Sequence, residues 1–215
     1  MSYYLRQMSK QDIAQVTEID REAFPTLWPP TDYRHELQNR LAHYVVACSD
    51  EKIVKEPTVK AVPEKGLPGL VYRIRRLFKR EPVSHDESPA SEIEHVAGFI
   101  GLWVIADEAH ITNIAVRENY RRQGIGESLL ISGINLAKEL KASMVTLEVR
   151  VSNSEAQNLY YKYGFTQTGL RRGYYTDNKE DAAIMTVNNV HSPTFHAQLQ
   201  QLKQAHFEKW GIALP

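Results

Sequence analysis

Cysteine is nearly missing from this 215-residue chain, with Cys48 its one representative. A single cysteine closes no internal disulfide, which excludes a disulfide-stapled scaffold and points to a reducing compartment. Cys48 follows the apolar run Tyr44-Val45-Val46-Ala47 and reads as a buried strand residue rather than a nucleophile. Net charge is also missing. Twenty-six Lys+Arg face 26 Asp+Glu, which removes the global field of a non-specific nucleic-acid binder but leaves room for a local basic patch. No apolar run approaches the roughly 20 residues of a membrane span. The opening segment lacks the basic-then-apolar pattern of a secretory signal. A soluble, cytoplasmic protein is the expectation. Eight histidines are present without a convincing metal spacing; His191 and His196 come nearest, and no metal site is read.

Two nucleotide-binding signatures are absent as well. Arg121-Arg122-Gln123-Gly124-Ile125-Gly126 has no Gly-Lys-Ser/Thr, so nothing is set to hold magnesium and a γ-phosphate. It also lacks the third glycine and downstream acid of a dinucleotide fingerprint. What is present is a glycine-bearing turn between a strand and a helix. Its backbone N–H groups can converge on an anion where the helix dipole favours negative charge, and Arg121 and Arg122 add charge-assisted donors. A pyrophosphate without its own metal suits such a turn.

The hydrophobic pattern places elements around it. A short strand fits Tyr3 to Met8, and Ser9 with Asp12 has the spacing of a helix N-terminus before Ile13, Val16, Ile19 and Ala23. A second helix is expected over Asp32 to Leu41, on the spacing of Tyr33, Leu37 and Leu41. Strands are expected at His43–Cys48, Ala97–Ile105, His110–Val116, Met144–Arg150, Phe165–Gly169 and Ala182–Val187. A helix runs from the glycine turn to about Leu140, and a short one from Ser152-Asn153-Ser154-Glu155 to Gly164. Strands and helices alternate in an α/β sheet, mixed because its ending is hairpin-like.

Residues 50–95 read as an insertion punctuated by five prolines. Within it, Leu70 to Arg80 carries five positive charges and no negative one beside an apolar helical face. That segment is either a docking helix for an acidic partner, RNA or an anionic membrane surface, or an amphipathic helix lying on its own domain. The tail 189–215 is helix-like, with Phe195, Leu199, Leu202 and Phe207 roughly in phase and Trp210 near its end. It is expected either to fold back on the core or to mediate dimerisation or partner binding.

The central stretch resembles the GNAT superfamily of acyl-CoA-dependent N-acetyltransferases, and within it the RimI-like, ribosomal-protein alanine N-acetyltransferases. The matching residues are Asn113-Ile114-Ala115-Val116, Tyr120 to Gly126, Leu147-Glu148-Val149-Arg150, Ser152-Asn153, Leu159-Tyr160 and Gly164-Phe165. Arg172 with Tyr174-Tyr175, Glu180-Asp181-Ala182 with Met185, and Ala23-Phe24-Pro25 extend the likeness, which covers about residues 3–48 and 96–188.

The resemblance implies a GNAT fold, a mixed and mostly antiparallel sheet flanked by helices with splayed central strands. It implies acetyl-CoA as cosubstrate. Ile114, Ala115 and Val116 would hold the pantetheine through the main chain, with a strand N–H polarising the thioester carbonyl. Arg121, Arg122, Gln123, Gly124, Ile125 and Gly126 would cradle the pyrophosphate, and Asn153 would contact the pantetheine arm. Tyr160 would lie near the sulfur and protonate the thiolate, and Glu148 would take the substrate's proton, through a water. Phe24 and Tyr174 would line the acceptor site. The implied acceptor is a protein N-terminus, such as a ribosomal protein's. Near neutral pH some tens of per cent of an α-amine is unprotonated against roughly 0.1% of a lysine, so modest base equipment suffices. Two other readings stay open: the same fold acting on a small amine or a lysine, and a non-catalytic acyl-CoA-binding module. The expected organisation is a GNAT domain over 1–188, interrupted by 50–95, with a helical extension at 189–215. Oligomeric state is not legible.

Overall fold

The computed structural model describes residues 2–25, 30–54 and 92–212. Two compact units divide the chain: Met1–Glu51 with Glu94–Pro215, and Lys52–Ile93. In the second unit the described residues are the strand ends 52–54 and 92–93, so the basic stretch 70–80 lies outside the described residues, as do Leu27 and Trp28.

The first unit is built on a seven-stranded sheet in the order β1-β2-β3-β4-β5-β7-β6. The strands are β1 (Tyr3–Gln7), β2 (Ala42–Val54), β3 (Glu92–Ile105), β4 (Glu108–Val116), β5 (Met144–Arg150), β6 (Thr166–Tyr175) and β7 (Glu180–Asn188). The helices are α1 (Ile13–Ala23), α2 (Tyr33–Glu36), α3 (Ile125–Glu139), α4 (Ser154–Lys162) and α5 (Pro193–Trp210). The pairs β1–β2, β3–β4, β5–β7 and β6–β7 are antiparallel, while β4–β5, joined through α3, is parallel. The mixed, mostly antiparallel sheet expected from the sequence is present.

The parallel pair is short. β4 and β5 match from Glu108 opposite Met144 to Ile111 opposite Leu147, and no further. At that point the β3–β4 register slips between Gly101 and Leu102, leaving Thr112 as an extra residue on β4. A bulge bends the strand that carries it, so β4 leaves β5 where the bulge sits. The two central strands therefore splay, as the resemblance implied.

Each sheet face has its own apolar cluster. Ile100, Leu102, Ile111, Leu147 and Val149 pack with Ile125, Leu129, Leu130 and Ile134 of α3. Val46, Cys48, Phe99 and Ala115 pack on the other face with Val16 and Ile19 of α1 and Tyr33 of α2. Gly133 permits the close approach of α3, since a Cβ there would stand 2.6 Å from Ile100 Cδ1. Cys48 is fully buried, and burial pushes its thiol up to about 11, as befits an inert core residue.

Three expectations are corrected. The second helix ends at Glu36, well short of Leu41. Asp32 caps its start, but Asn39 then accepts from the Leu41 N–H, and that local side-chain bond competes with helix continuation. Leu41 is left exposed. The sixth strand runs on to Tyr175, since pairing with β7 resumes at Tyr175 opposite Glu180 after an irregular stretch. In the tail, Phe207 is exposed and His206 takes the inward position. The series Phe195, Leu199, Leu202, His206 keeps the 3.6-residue period, and Phe207 falls one step out of phase. With Phe195 and Leu199 in the main cluster, α5 folds back on the core. Each such side chain contributes about 1.5–3 kcal/mol by burial.

Candidate active site

The glycine turn forms as its sequence requires. Gly124 is the N-cap of α3 with φ of 82°, and Arg122 also sits at a left-handed φ of 62°. No side chain caps α3, so its first-turn N–H groups are left for another acceptor. Gly126 has only Val116 Cγ2 near its missing Cβ, at 3.6 Å, so the backbone there is open to a close neighbour. An uncapped helix start behind two left-handed residues is a fitting cradle for the pyrophosphate of an acyl-CoA.

Surrounding side chains hold the turn rather than fill it. Gln123 accepts from the Tyr3 hydroxyl at 2.6 Å and donates to the Asn119 carbonyl. Arg121 Nε donates to the Val116 carbonyl, and Arg122 pairs with Glu155 at the start of α4. Ile125 is buried in the core. A carboxylate in the first turn, Glu127, would oppose a bound anion, but Lys162 Nζ stands 2.5 Å from it and Tyr163 donates to it at 2.7 Å. Burial alone would raise the Glu127 pKa. The contacts with His206, Lys162 and Tyr163 more than reverse that and bring it to about 2.

Ile114, Ala115 and Val116 lie on β4 beyond its parting from β5. Ile114 and Val116 pack toward α3, and Ala115 faces α1. Asn113 donates to the buried Asp20 at 3.1 Å and ties β4 to α1. Asn153 is the N-cap of α4, its side chain accepting from the Ala156 N–H. Tyr160 is buried against Phe165, and its hydroxyl makes no hydrogen bond to Glu148 or to another side chain among the described residues. Burial pushes its hydroxyl well above the ordinary range, so it stays protonated and able to donate. Phe24 ends α1, half-buried, and Tyr174 is exposed at the far end of β6.

Glu148 is no free carboxylate. His110 Nε2 lies 2.6 Å from its Oε2, and Arg171 reaches its Oε1 at 2.9 Å. The His110 hydrogen bond, then the charges of His110 and Arg171, hold its carboxyl below the usual range despite burial. His110 and Arg171 were not singled out from the sequence. The signal was there only for His110, on the strand before the turn, and its value depends on a strand register that spacing does not reveal. Among the described residues no group of three metal-ligating side chains converges.

A parallel pair that parts near an uncapped helix start, with a buried carboxylate on β5, suits an acyl-CoA-dependent transferase. The model of the Acetyltransferase (GNAT) family matches residues 66–165. The chain is 36% identical over 184 residues to the Bacillus subtilis protein named "Putative ribosomal protein bS18-alanine N-acetyltransferase", covering 85% of this chain and 93% of that one. It is 33% identical over 184 residues to an N-alpha-acetyltransferase of Sulfurisphaera tokodaii, covering 85% and 91%. The chain belongs to the GNAT acetyltransferase family. Its fold is that of the ribosomal-protein-S18-alanine N-acetyltransferase of Escherichia coli, with a TM-score of 0.61 at 24% identity over 87% of this chain and 94% of that one.

Proposed function

We propose that this acetyltransferase moves the acetyl group of acetyl-CoA directly onto the N-terminal α-amine of a protein, in a ternary complex without a covalent enzyme intermediate. The observation that carries this reading is the near-full-length likeness to relatives from a bacterium and an archaeon, both named for α-amine acetylation. A ribosomal-protein N-terminus, for which the Bacillus subtilis relative is named, is the acceptor we favour, which sets the reaction in the cytoplasm.

In this reading the turn Arg121–Gly126 binds the pyrophosphate through main-chain N–H groups, and Ile114, Ala115 and Val116 align the pantetheine along the parted edge of β4. Acetyl-CoA supplies the activated acyl group. Glu148 serves the removal of the proton from the substrate ammonium, and Tyr160 donates one to the leaving thiolate. Asn153 positions the pantetheine arm from its place at the start of α4, and Phe24 and Tyr174 line the path of the acceptor chain. Residues 1–188 form the catalytic domain around an inserted segment at 50–95, and 189–215 is an extension that braces it.

Incubation with acetyl-CoA and a pool of short peptides tests this, half with free N-termini and half N-blocked with an internal lysine. Thiol release with only the free-ended peptides is the expected result. Release with only the blocked lysine peptides would replace the reading by lysine acetylation. Silence from both, with acetyl-CoA still bound, would point to a small-amine acceptor.

A further inference from the structure

We infer that His110 is the group that receives the proton of the acceptor ammonium, through its Nδ1, and that Glu148 acts by orienting and charging it. This rests on the acetyltransferase reading above and names the atom at which that reading begins.

Strand register brings the two side chains together. His110 lies opposite Thr146 in the parallel pair, and the pairing ends one residue later, at Ile111 opposite Leu147. Glu148 is thus the first residue of β5 past the paired segment. Ile111 and Leu147 turn into the α3 cluster, so His110 and Glu148 project from the opposite face. Across the antiparallel pair, Trp103 lies opposite His110, its indole donating to Glu36 at 2.8 Å. The pair therefore lies at the edge of the splay, on the face away from α3.

Occupancy of lone pairs distinguishes the two candidate bases. Both carboxylate oxygens of Glu148 are engaged, Oε2 by His110 and Oε1 by Arg171, and its side chain is only 7% exposed. A carboxylate held ionised by a guanidinium and an imidazole, with little room for a further partner, is a poor proton acceptor. His110 is a third exposed, and Glu148 engages its Nε2 alone. A neutral imidazole that donates Nε2–H to a carboxylate carries its lone pair on Nδ1. The carboxylate fixes the tautomer and stabilises the imidazolium once it forms. The charged and titratable groups around the pair are Arg171, Tyr174 and Tyr175 from β6 and Glu108 on the same side of β4.

The step balances. An N–H bond of the ammonium breaks and the proton passes to His110 Nδ1. The freed amine forms the C–N bond, and the C–S bond of the thioester breaks. The proton that the new amide nitrogen sheds equals the one the thiol gains through Tyr160. The proton on His110 leaves to solvent, so one proton is released per turnover.

The test compares His110→Gln with Glu148→Gln in single-turnover acetylation at saturating acetyl-CoA, across pH, using whichever amine the wild-type enzyme acetylates. A wrong acceptor class therefore shows in the wild-type substrate screen and leaves the comparison intact. His110→Gln should lower the rate about 100-fold, the low end of general-base contributions. The acid limb of the pH profile should vanish, with acetyl-CoA affinity and the thermal midpoint unchanged. Glu148→Gln should cost less, about 10-fold, because the amide oxygen still accepts from Nε2–H. The reverse ranking, with His110→Gln within threefold of wild type, would overturn the assignment and restore Glu148 as the direct base. A measurement on the unaltered enzyme covers misfolded variants. Nitrogen-15 spectra of the histidine rings should show His110 protonated on Nε2 and bare on Nδ1 at the pH of maximal rate. Protonation of both nitrogens at that pH would overturn it too.

Discussion

Two histidine–glutamate pairs occupy opposite faces of the sheet, and the same side chains serve different ends. His206 of α5 is fully buried, its Nε2 2.8 Å from the Ser128 hydroxyl and its Nδ1 3.4 Å from Glu127. Lys162 and Tyr163 complete the surroundings of Glu127, and Ser128 donates to the Gly124 carbonyl. That network knits the extension to the glycine turn, and Trp210 from the same helix packs where a Gly124 Cβ would stand. His110 and Glu148 are closer, at 2.6 Å, yet the imidazole is a third exposed. The first pair is spent on structure because water and substrate cannot reach it. The second keeps one nitrogen for chemistry.

The largest effect should come from the turn shared by cofactor and extension. Gly124→Leu places a side chain at a φ of 82° and about 2.6 Å from Trp210. Acetyl-CoA affinity, measured by calorimetry, should fall at least 100-fold. Normal affinity would remove the turn from the cofactor site. The two histidines should then dissociate cleanly. His206→Leu should cost about 1–3 kcal/mol in urea unfolding, by removing the buried hydrogen bond to Ser128 and the contact with Glu127. The rate per folded molecule at saturating acetyl-CoA should barely change, whereas His110→Gln does the opposite. A large rate loss in folded His206→Leu would erase the distinction between the pairs.

The last effect is a matter of pH. Glu127 falls from the usual 4.5 to about 2 in the folded protein. A depressed carboxylate contributes stability that is complete above its unfolded pKa and is lost as pH falls through its folded one. Stability should therefore decline between about pH 4.5 and 2, by on the order of 3 kcal/mol for this group. In Glu127→Gln that share of the decline should be absent from acid-unfolding curves. Equal declines in both proteins would show that Glu127 contributes little to the brace.

Much of this was legible beforehand. Val145, Leu147 and Val149 alternate as a strand must, and β5 spans Met144–Arg150 as expected. Gly124 marks the left-handed turn that opens α3, since a residue without Cβ is the cheapest occupant of positive φ. Ser9 and Asp12 form the capping box their spacing announced. Asn153 was legible in type, and its capping bond is in place.

Local chemistry of the chain thus determined the elements, the left-handed glycine turn and the family, because periodicity, caps and glycine positions act over a few residues. Tertiary structure alone decided which charges meet. Glu148 and His110 are 38 residues apart, and Arg171 comes from a third strand. Their convergence depends on where a bulge ends a parallel pairing, a register that no short-range pattern encodes. His206 lies 78 residues from Ser128, one step before Phe207, the apolar residue that the stripe singles out. Partner choice is set by which faces pack, and packing is a property of the whole sheet.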